Sequence, residues 1–399
     1  MKKRRRGRKK RGCSKYISVV AILAGFMGYF GGKEVVKVVQ DLTTEIPYAE
    51  ITMDTSELDQ KYYYESLPEN EQLAYQEILQ GIEDNQEEIY VHSEDAKRTN
   101  KIFEYVLKDF PDIFWCDGTA STTLYESQEK YTVLNPVYLC DGENKAKRKE
   151  IIEETADEFL QTVPEDATDY EKILAVYEYV IDTVDYDMKA LDNQNIYSVF
   201  ANKKSVCAGY SKATQYLLER LDVFCIYVTG TTYENQSHAW NIVKCEDDYY
   251  YVDTTWGDPI FQETDQEKTD EQIERISYDF LCCNEEQLQN THTPDDDVEL
   301  PMCEKMDQNY YVQNDMYFTS YDSQTILQKM KDVINAGENP SVLKFASQEL
   351  YQEAQEDIFG NLIKEAAQSL GAQYGLSTVH YQYMDDSMLN KITIYWQYE

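Results

Sequence analysis

Between Val223 and Trp256, three runs rich in β-branched and aromatic residues follow one another: VFCIYVTG, SHAWNIVKC and YYYVDTTW. The polar breaks between them are too short for a crossover connection, so neighbouring strands must run antiparallel. The second break, CEDD, sets the register. If the turn is Glu246 and Asp247, paired positions sum to 493, Trp240 faces Asp253, and His238 is the diagonal neighbour of Asp253 on the same face. A three-residue turn would send Asp253 to the opposite face unless a bulge restored the phase.

Helical patterns precede these strands. TDYEKILAVYEYVIDTV opens on Thr168 with Glu171 three residues later, a capping box. Its residues Ile173, Leu174, Tyr177, Val180, Ile181 and Val184 share one stripe, which predicts a core-packed helix. The next helical run, SVCAGYSKATQYLLERL, places Cys207 at its start. Helices followed by antiparallel strands make an α+β fold.

A thiolate is the reactive form of cysteine, and unsatisfied N–H groups at a helix start favour it. Ala208 and Gly209 leave room for a substrate carbonyl to approach those groups, which then form part of an oxyanion hole. Such a thiol needs a base, and the chain has four histidines: His92, His238, His292 and His380. The hairpin singles out His238, because an imidazole held by a carboxylate and aimed at a thiolate is the geometry of covalent acyl transfer. A helix-start cysteine alone is more often a small buried hydrophobe. Three residues placed together favour the active-site reading, in which Asp253→Asn leaves the fold largely intact.

The strings VCAGYSKA, SHAWN and YYVDTTWGDP resemble the transglutaminase-like superfamily, in particular its bacterial cell-surface members with a papain-like cysteine fold. The resemblance is most specific over residues 166–260. It implies Cys207 as nucleophile, His238 as general base and Asp253 as its orienter. It also implies Tyr186, in VDYDMKA, lining the site, Tyr197 as a source of an oxyanion-stabilising side chain, and Trp256 as a packing neighbour. The family's reactions include amide crosslinking, deamidation and peptide hydrolysis, all through a thioester. The implied substrate is a protein or peptide, cell-wall material included, and no cofactor is required. No calcium signature is visible, and the acidic run at 295–297 reads as a solvated turn. The competing reading is a non-catalytic surface binding or assembly module, to which 35 tyrosines would lend contact area.

Charge divides the 399-residue chain sharply. The net −37 is the sum of +10 on residues 1–15 and −47 on everything after them. A body that acidic is repelled by phosphate, which excludes a nucleic-acid partner. The run YISVVAILAGFMGYFGG, residues 16–32, carries no charge. Together with the basic tail it predicts a single membrane helix with a cytoplasmic amino terminus and an extracellular body.

The expected organisation is therefore a basic tail (1–15), a membrane anchor (16–39), an acidic stalk (40–65), a small α+β domain (66–165), a transglutaminase-like domain (166–300) and a C-terminal α/β domain (301–399). In the small domain, LAYQEILQGIEDNQEEIYV and DAKRTNKIFEYVLKDFPDIFW read as helices, and STTLYES with KYTVLNPVYL as a hairpin. Nine cysteines, an odd number, leave at least one thiol of an extracellular chain unpaired or paired with another molecule, and the absence of a CxxC pair argues against structural zinc.

Overall fold

The computed structural model describes residues 24–27, 33–40, 46–126, 129–258 and 276–398. They divide into two compact units, one formed by the chain up to Leu107 with Gly118–Tyr138, the other by Lys108–Asp117 with Leu139–Glu399.

The first unit is a five-stranded sheet in the order Ala24–Met27, Lys33–Gln40, Cys116–Glu126, Lys130–Tyr138, Ile89–Val91, accompanied by the helices Glu69–Glu83 and Ala96–Asp109. Both helices were legible, and Pro111 follows the second, whose continuation it forbids. The first is shorter than its sequence pattern suggests. Asn85 takes a left-handed conformation at φ 53°, and the β-branched Ile89–Val91 then pairs with residues 132–134.

The expected anchor helix over 16–39 is corrected here. Residues 1–23 and 28–32 lie outside the described residues, but Ala24–Met27 and Lys33–Gln40 are strands, the latter parallel to residues 121–126. Lys33–Gln40 reads KEVVKVVQ, four valines among three charges, which suits a strand better than a membrane span. Among the described residues no helix is long and apolar enough to cross a membrane.

In the second unit, the helices Gly142–Leu160, Asp169–Thr183 and Cys207–Glu219 precede an antiparallel sheet ordered Leu281–Cys283, Asp248–Val252, Ser237–Cys245, Cys225–Thr232, His292–Pro294. The capping box of Asp169–Thr183 forms: Thr168 accepts from the Glu171 amide, and the Glu171 carboxylate accepts from the Thr168 amide at 2.8 Å. Ile173, Tyr177, Val180, Ile181 and Val184 of its apolar stripe are buried. A second sheet, Tyr317–Phe318, Ser341–Phe345, Lys391–Trp396, Tyr381–Asp386, packs with the helices Ser323–Ala336, Gln348–Asp357 and Ile363–Tyr374 around a core that includes Met330, Phe345, Tyr351, Ile394 and Trp396.

A buried ionic cluster joins these two sheets. Asp279, just before Leu281–Cys283, receives Lys344 Nζ on Oδ1 at 2.9 Å and Lys391 Nζ on Oδ2. All three side chains are buried, and the Tyr311 hydroxyl accepts a further bond from Lys391 at 3.2 Å. Burial opposes the charge on Asp279, but the two ammonium groups outweigh it and hold its carboxyl well below the usual range. Removing the carboxylate alone should therefore destabilise the protein by about 3–5 kcal/mol, because two ammonium groups are left without their counter-ion. Asp279→Asn, read by urea unfolding, is expected to show that loss. Replacing Asp279, Lys344 and Lys391 together with apolar residues of similar volume should recover most of it.

Candidate active site

Cys207 is the first residue of its helix, after the extended Val206; the Gly209 and Tyr210 amides both reach the Val206 carbonyl, at 2.9 and 3.1 Å, which leaves the amides of Cys207 and Ala208 as the first-turn donors outside the helical ladder. Side-chain bonds lock that helix onto the sheet. Ser211 Oγ donates to the Ala239 carbonyl at 2.8 Å, and Asn241 Nδ2 donates to the Ser211 carbonyl at 3.0 Å. These two contacts bracket Trp240 and set the helix start beside His238. Gly209 does not leave space for a substrate, contrary to the sequence expectation. A Cβ there would lie 1.9 Å from Ser205 Oγ and 3.2 Å from the Asn193 carbonyl, so the glycine permits close packing instead.

The hairpin has the two-residue turn. Asp248 pairs with Cys245 and Val252 with Asn241, and Glu246 takes the left-handed conformation at φ 56° that a tight hairpin turn demands. Asp253 follows the last paired residue, and its Oδ2 lies 2.7 Å from His238 Nε2. Its Oδ1 accepts the amides of Thr255 at 2.9 Å and Trp256 at 3.1 Å, capping the short helix Thr254–Gly257. The other nitrogen of His238 is not engaged by Asp253, and Cys207 is near enough to the ring to favour its charged form.

A second histidine reaches the same oxygen. His292 Nε2 lies 3.0 Å from Asp253 Oδ2, and its Nδ1 is 2.7 Å from Thr291 Oγ1. Sequence reasoning counted His292 among four histidines and gave it no role. Both imidazoles, the carboxylate and Cys207 are buried, Cys207 keeping 8% of its surface. The two imidazole nitrogens and the carboxylate oxygen lie within 4.8 Å of one another, a donor set of the kind that holds zinc. Both nitrogens, however, stand at hydrogen-bond distance from one oxygen, as two N–H donors on a shared acceptor do.

Burial works against charge on His238, but the Asp253 carboxylate, helped by Cys207, outweighs it and pushes its pKa up to about 10. Burial likewise opposes the Asp253 charge, and the two imidazoles reverse that, holding its carboxyl far below the usual range. His292 goes the other way, lowered chiefly by burial and further by the charge of His238 against the pull of Asp253. The site therefore holds one imidazolium, one carboxylate and one neutral imidazole near neutral pH.

Tyr186 pairs, with Asp185, alongside Lys204–Ser205, two residues ahead of Cys207. Its hydroxyl is raised by burial and then by the nearby Cys207 and Asp253, which places it among the site groups. Trp256 packs on both histidines, 4.7 Å from the His292 ring and 6.2 Å from that of His238. The Tyr197 ring lies instead against Phe114 at 6.3 Å, with the Arg148 guanidinium 4.4 Å over it, and none of the described contacts joins it to Cys207. Cys116, Cys140, Cys207, Cys225, Cys245, Cys282, Cys283 and Cys303 are all free and buried. Burial pushes the thiols of Cys245 and Cys303 up to about 12. Among the described cysteines, Cys207 is the one set against His238.

Asp253 is also a structural element, which corrects the expectation that Asp253→Asn would leave the fold largely intact. An amide keeps one acceptor for the two backbone donors but turns an NH₂ group on two imidazole N–H groups. The pH dependence follows. His238 is raised from 6.5 to about 10, so its share of stability is complete below pH 6.5 and is lost as pH rises through about 10. Asp253 is lowered, so its share is present above its ordinary value of 3.8 and is lost as pH falls below that. The stability gap between the unchanged protein and Asp253→Asn should be widest between about pH 4 and 6.5 and shrink towards pH 10, as urea midpoints across that range will show.

Residues 155–254 match the family model of the transglutaminase-like superfamily. The human kyphoscoliosis peptidase is 26% identical over 118 residues, 25% of this chain and 18% of that protein. The mouse kyphoscoliosis peptidase is 24% identical over 113 residues, 24% of this chain and 17% of that protein. The chain thus spans less than a fifth of the length of these relatives. Among solved structures, one described as a TGase superposes with a TM-score of 0.27 at 12% identity, covering 38% of this chain and 55% of its own. The periplasmic domain of TgpA from Pseudomonas aeruginosa does so with a TM-score of 0.23 at 16% identity, covering 32% and 55%. Residues 155–254, which contain the Cys207 helix and the hairpin carrying His238 and Asp253, are a transglutaminase-like domain.

Proposed function

We propose that the chain is a cysteine enzyme acting on amide bonds of a protein or peptide through a thioester, with Cys207 as nucleophile, His238 as general base and acid, and Asp253 as orienter. The observation that carries this reading is the placement of His238, bound through Nε2 to Asp253 at 2.7 Å with Cys207 at its ring. In this reading the thiol proton already rests on His238, and the sulfur attacks the carbonyl carbon while the amides of Cys207 and Ala208 at the helix start face the developing oxyanion. The C–N bond then breaks as His238 returns the proton to the departing nitrogen. Water or an amine resolves the thioester, giving hydrolysis or transfer. The relatives that match are named peptidases, which favours peptide hydrolysis. Tyr186 borders the substrate's approach. The strongly acidic body acts outside the cell in this reading, so external protease on intact cells should digest it.

A non-catalytic binding module is the second reading, and the burial of Cys207 is what favours it. Alkylation by iodoacetamide separates the two, with the seven other described thiols as internal references. The catalytic reading expects Cys207 to label fastest and to keep labelling below pH 7. Labelling should fall by one to two orders of magnitude in His238→Ala, on the scale of general-base contributions. A Cys207 that labels no faster than its buried neighbours, in both proteins, would sink it. A new amino terminus without incorporation of a labelled amine assigns peptidase, ammonia without incorporation assigns deamidase, and incorporation of the labelled amine with release of either leaving group assigns transferase.

A further inference from the structure

His292 is a buried titratable group that the Cys207 chemistry does not use, and it comes from beyond the matched segment 155–254. It begins the three-residue strand at the sheet edge, which pairs with Gly230–Thr232, while His238 lies on the strand at the other side of that pair. Gly230 is what lets the edge close up. A Cβ there would stand 2.2 Å from the Thr293 carbonyl, 2.7 Å from the Trp240 ring and 2.9 Å from Pro294 Cα. The His292 ring is enclosed by Trp256, Trp240 and Phe280 at 4.7, 5.0 and 5.3 Å. An apolar side chain would pack as well there without the cost of burying two ring nitrogens.

The hydrogen bonds supply the reason for a histidine. The charged and titratable groups that face it are the Asp253 carboxylate and His238, whose ring centroid is 5.2 Å away; Thr291 Oγ1, the Leu288 carbonyl and aromatic rings make up the other named neighbours. Nε2 must donate to the carboxylate, so in the neutral ring Nδ1 is an acceptor, and the Thr291 hydroxyl, 2.7 Å from it and 3.3 Å from the Leu288 carbonyl, has one proton to give to the nearer of the two. Asp253 Oδ1 is already fixed by two backbone amides, so the second imidazole acts on Oδ2, the oxygen that also holds His238. A donor on that oxygen spreads its charge and weakens its grip on an imidazolium.

Building on the Cys207–His238–Asp253 reading, we propose that His292 is a positioning residue, a neutral second imidazole that shares Asp253 Oδ2 with His238 and tempers the carboxylate so that His238 can give up its proton. An unshared buried carboxylate would hold the imidazolium too firmly for it to serve as an acid.

The test compares His292→Phe, which keeps a ring between the tryptophans, with His292→Gln, whose amide N–H reaches the same oxygen. Titration of His238 is followed by its imidazole proton resonances, and kcat and KM are measured on an amide substrate. In His292→Phe the His238 midpoint should rise by roughly half a unit to one unit. The kcat should fall about fivefold, the worth of one neutral hydrogen bond, with KM little changed. His292→Gln should restore both. An unmoved or lowered His238 midpoint in His292→Phe, with only the melting temperature reduced, overturns the proposal and leaves His292 as packing. The resonance readout needs no turnover. If Cys207 proves inert while the midpoint still rises, the catalytic reading falls and the coupling of the two histidines through Asp253 stands.

Discussion

The site depends on one buried carboxylate. Asp253 is fully enclosed, and an isolated carboxylate in that position would cost several kcal/mol in lost hydration. Four donors offset the cost: the amides of Thr255 and Trp256 on one oxygen, His238 and His292 on the other. The four donors come from three pieces of the fold, so satisfying one side chain fixes the turn after a central strand, the adjacent strand and the far edge of the sheet. The same bonds fix the ring of His238 and hence the direction in which its remaining nitrogen faces Cys207. Fold and candidate chemistry therefore share their central interaction, and a change at Asp253 acts on both.

A second buried carboxylate extends this outwards. The Asp253 amide donates to the Phe280 carbonyl at 3.0 Å, and the residue before Phe280 is Asp279, held by Lys344 and Lys391 of the C-terminal sheet. The segment that pins the backbone of Asp253 is thus itself pinned by two charges from a part of the chain that the sequence suggested was a separate domain. Ion pairs of this kind add little net stability over apolar packing, but they penalise every arrangement in which one partner is missing. A Phe280 segment that slips would leave three buried charges unpaired.

What was legible in the sequence is what local chemistry decides. A two-residue turn at Glu246 and Asp247 was the condition for His238 and Asp253 to share a face, and the paired residues keep the sum of 493 that it requires. Thr168 and Glu171 announced a helix start through a reciprocal bond three residues long. His292 was not legible as a site residue. Its strand is three residues long and ends in a proline, so no periodicity marks it, and its partner lies 39 residues away. The lysines on Asp279 are 65 and 112 residues distant, and nothing in their strands marks them for so remote a partner. Gly209 was read as an opening for substrate when its role is steric contact with Ser205, a distinction that only the packing reveals. Residues 33–39 were assigned to a membrane anchor on the strength of their apolar neighbours, although their own valines favour a strand.

The thiols show why burial alone says little about reactivity. Eight described cysteines are free and buried, and for Cys245, Cys282, Cys283 and Cys303 burial raises the thiol with no cation strong enough to oppose it. A buried thiol in that setting stays protonated and behaves as a small hydrophobe. Cys207 sits in a comparably closed place but faces an imidazole whose proton is held by Asp253 well into the alkaline range. The difference between its setting and theirs is one neighbour, His238, and the carboxylate that holds it.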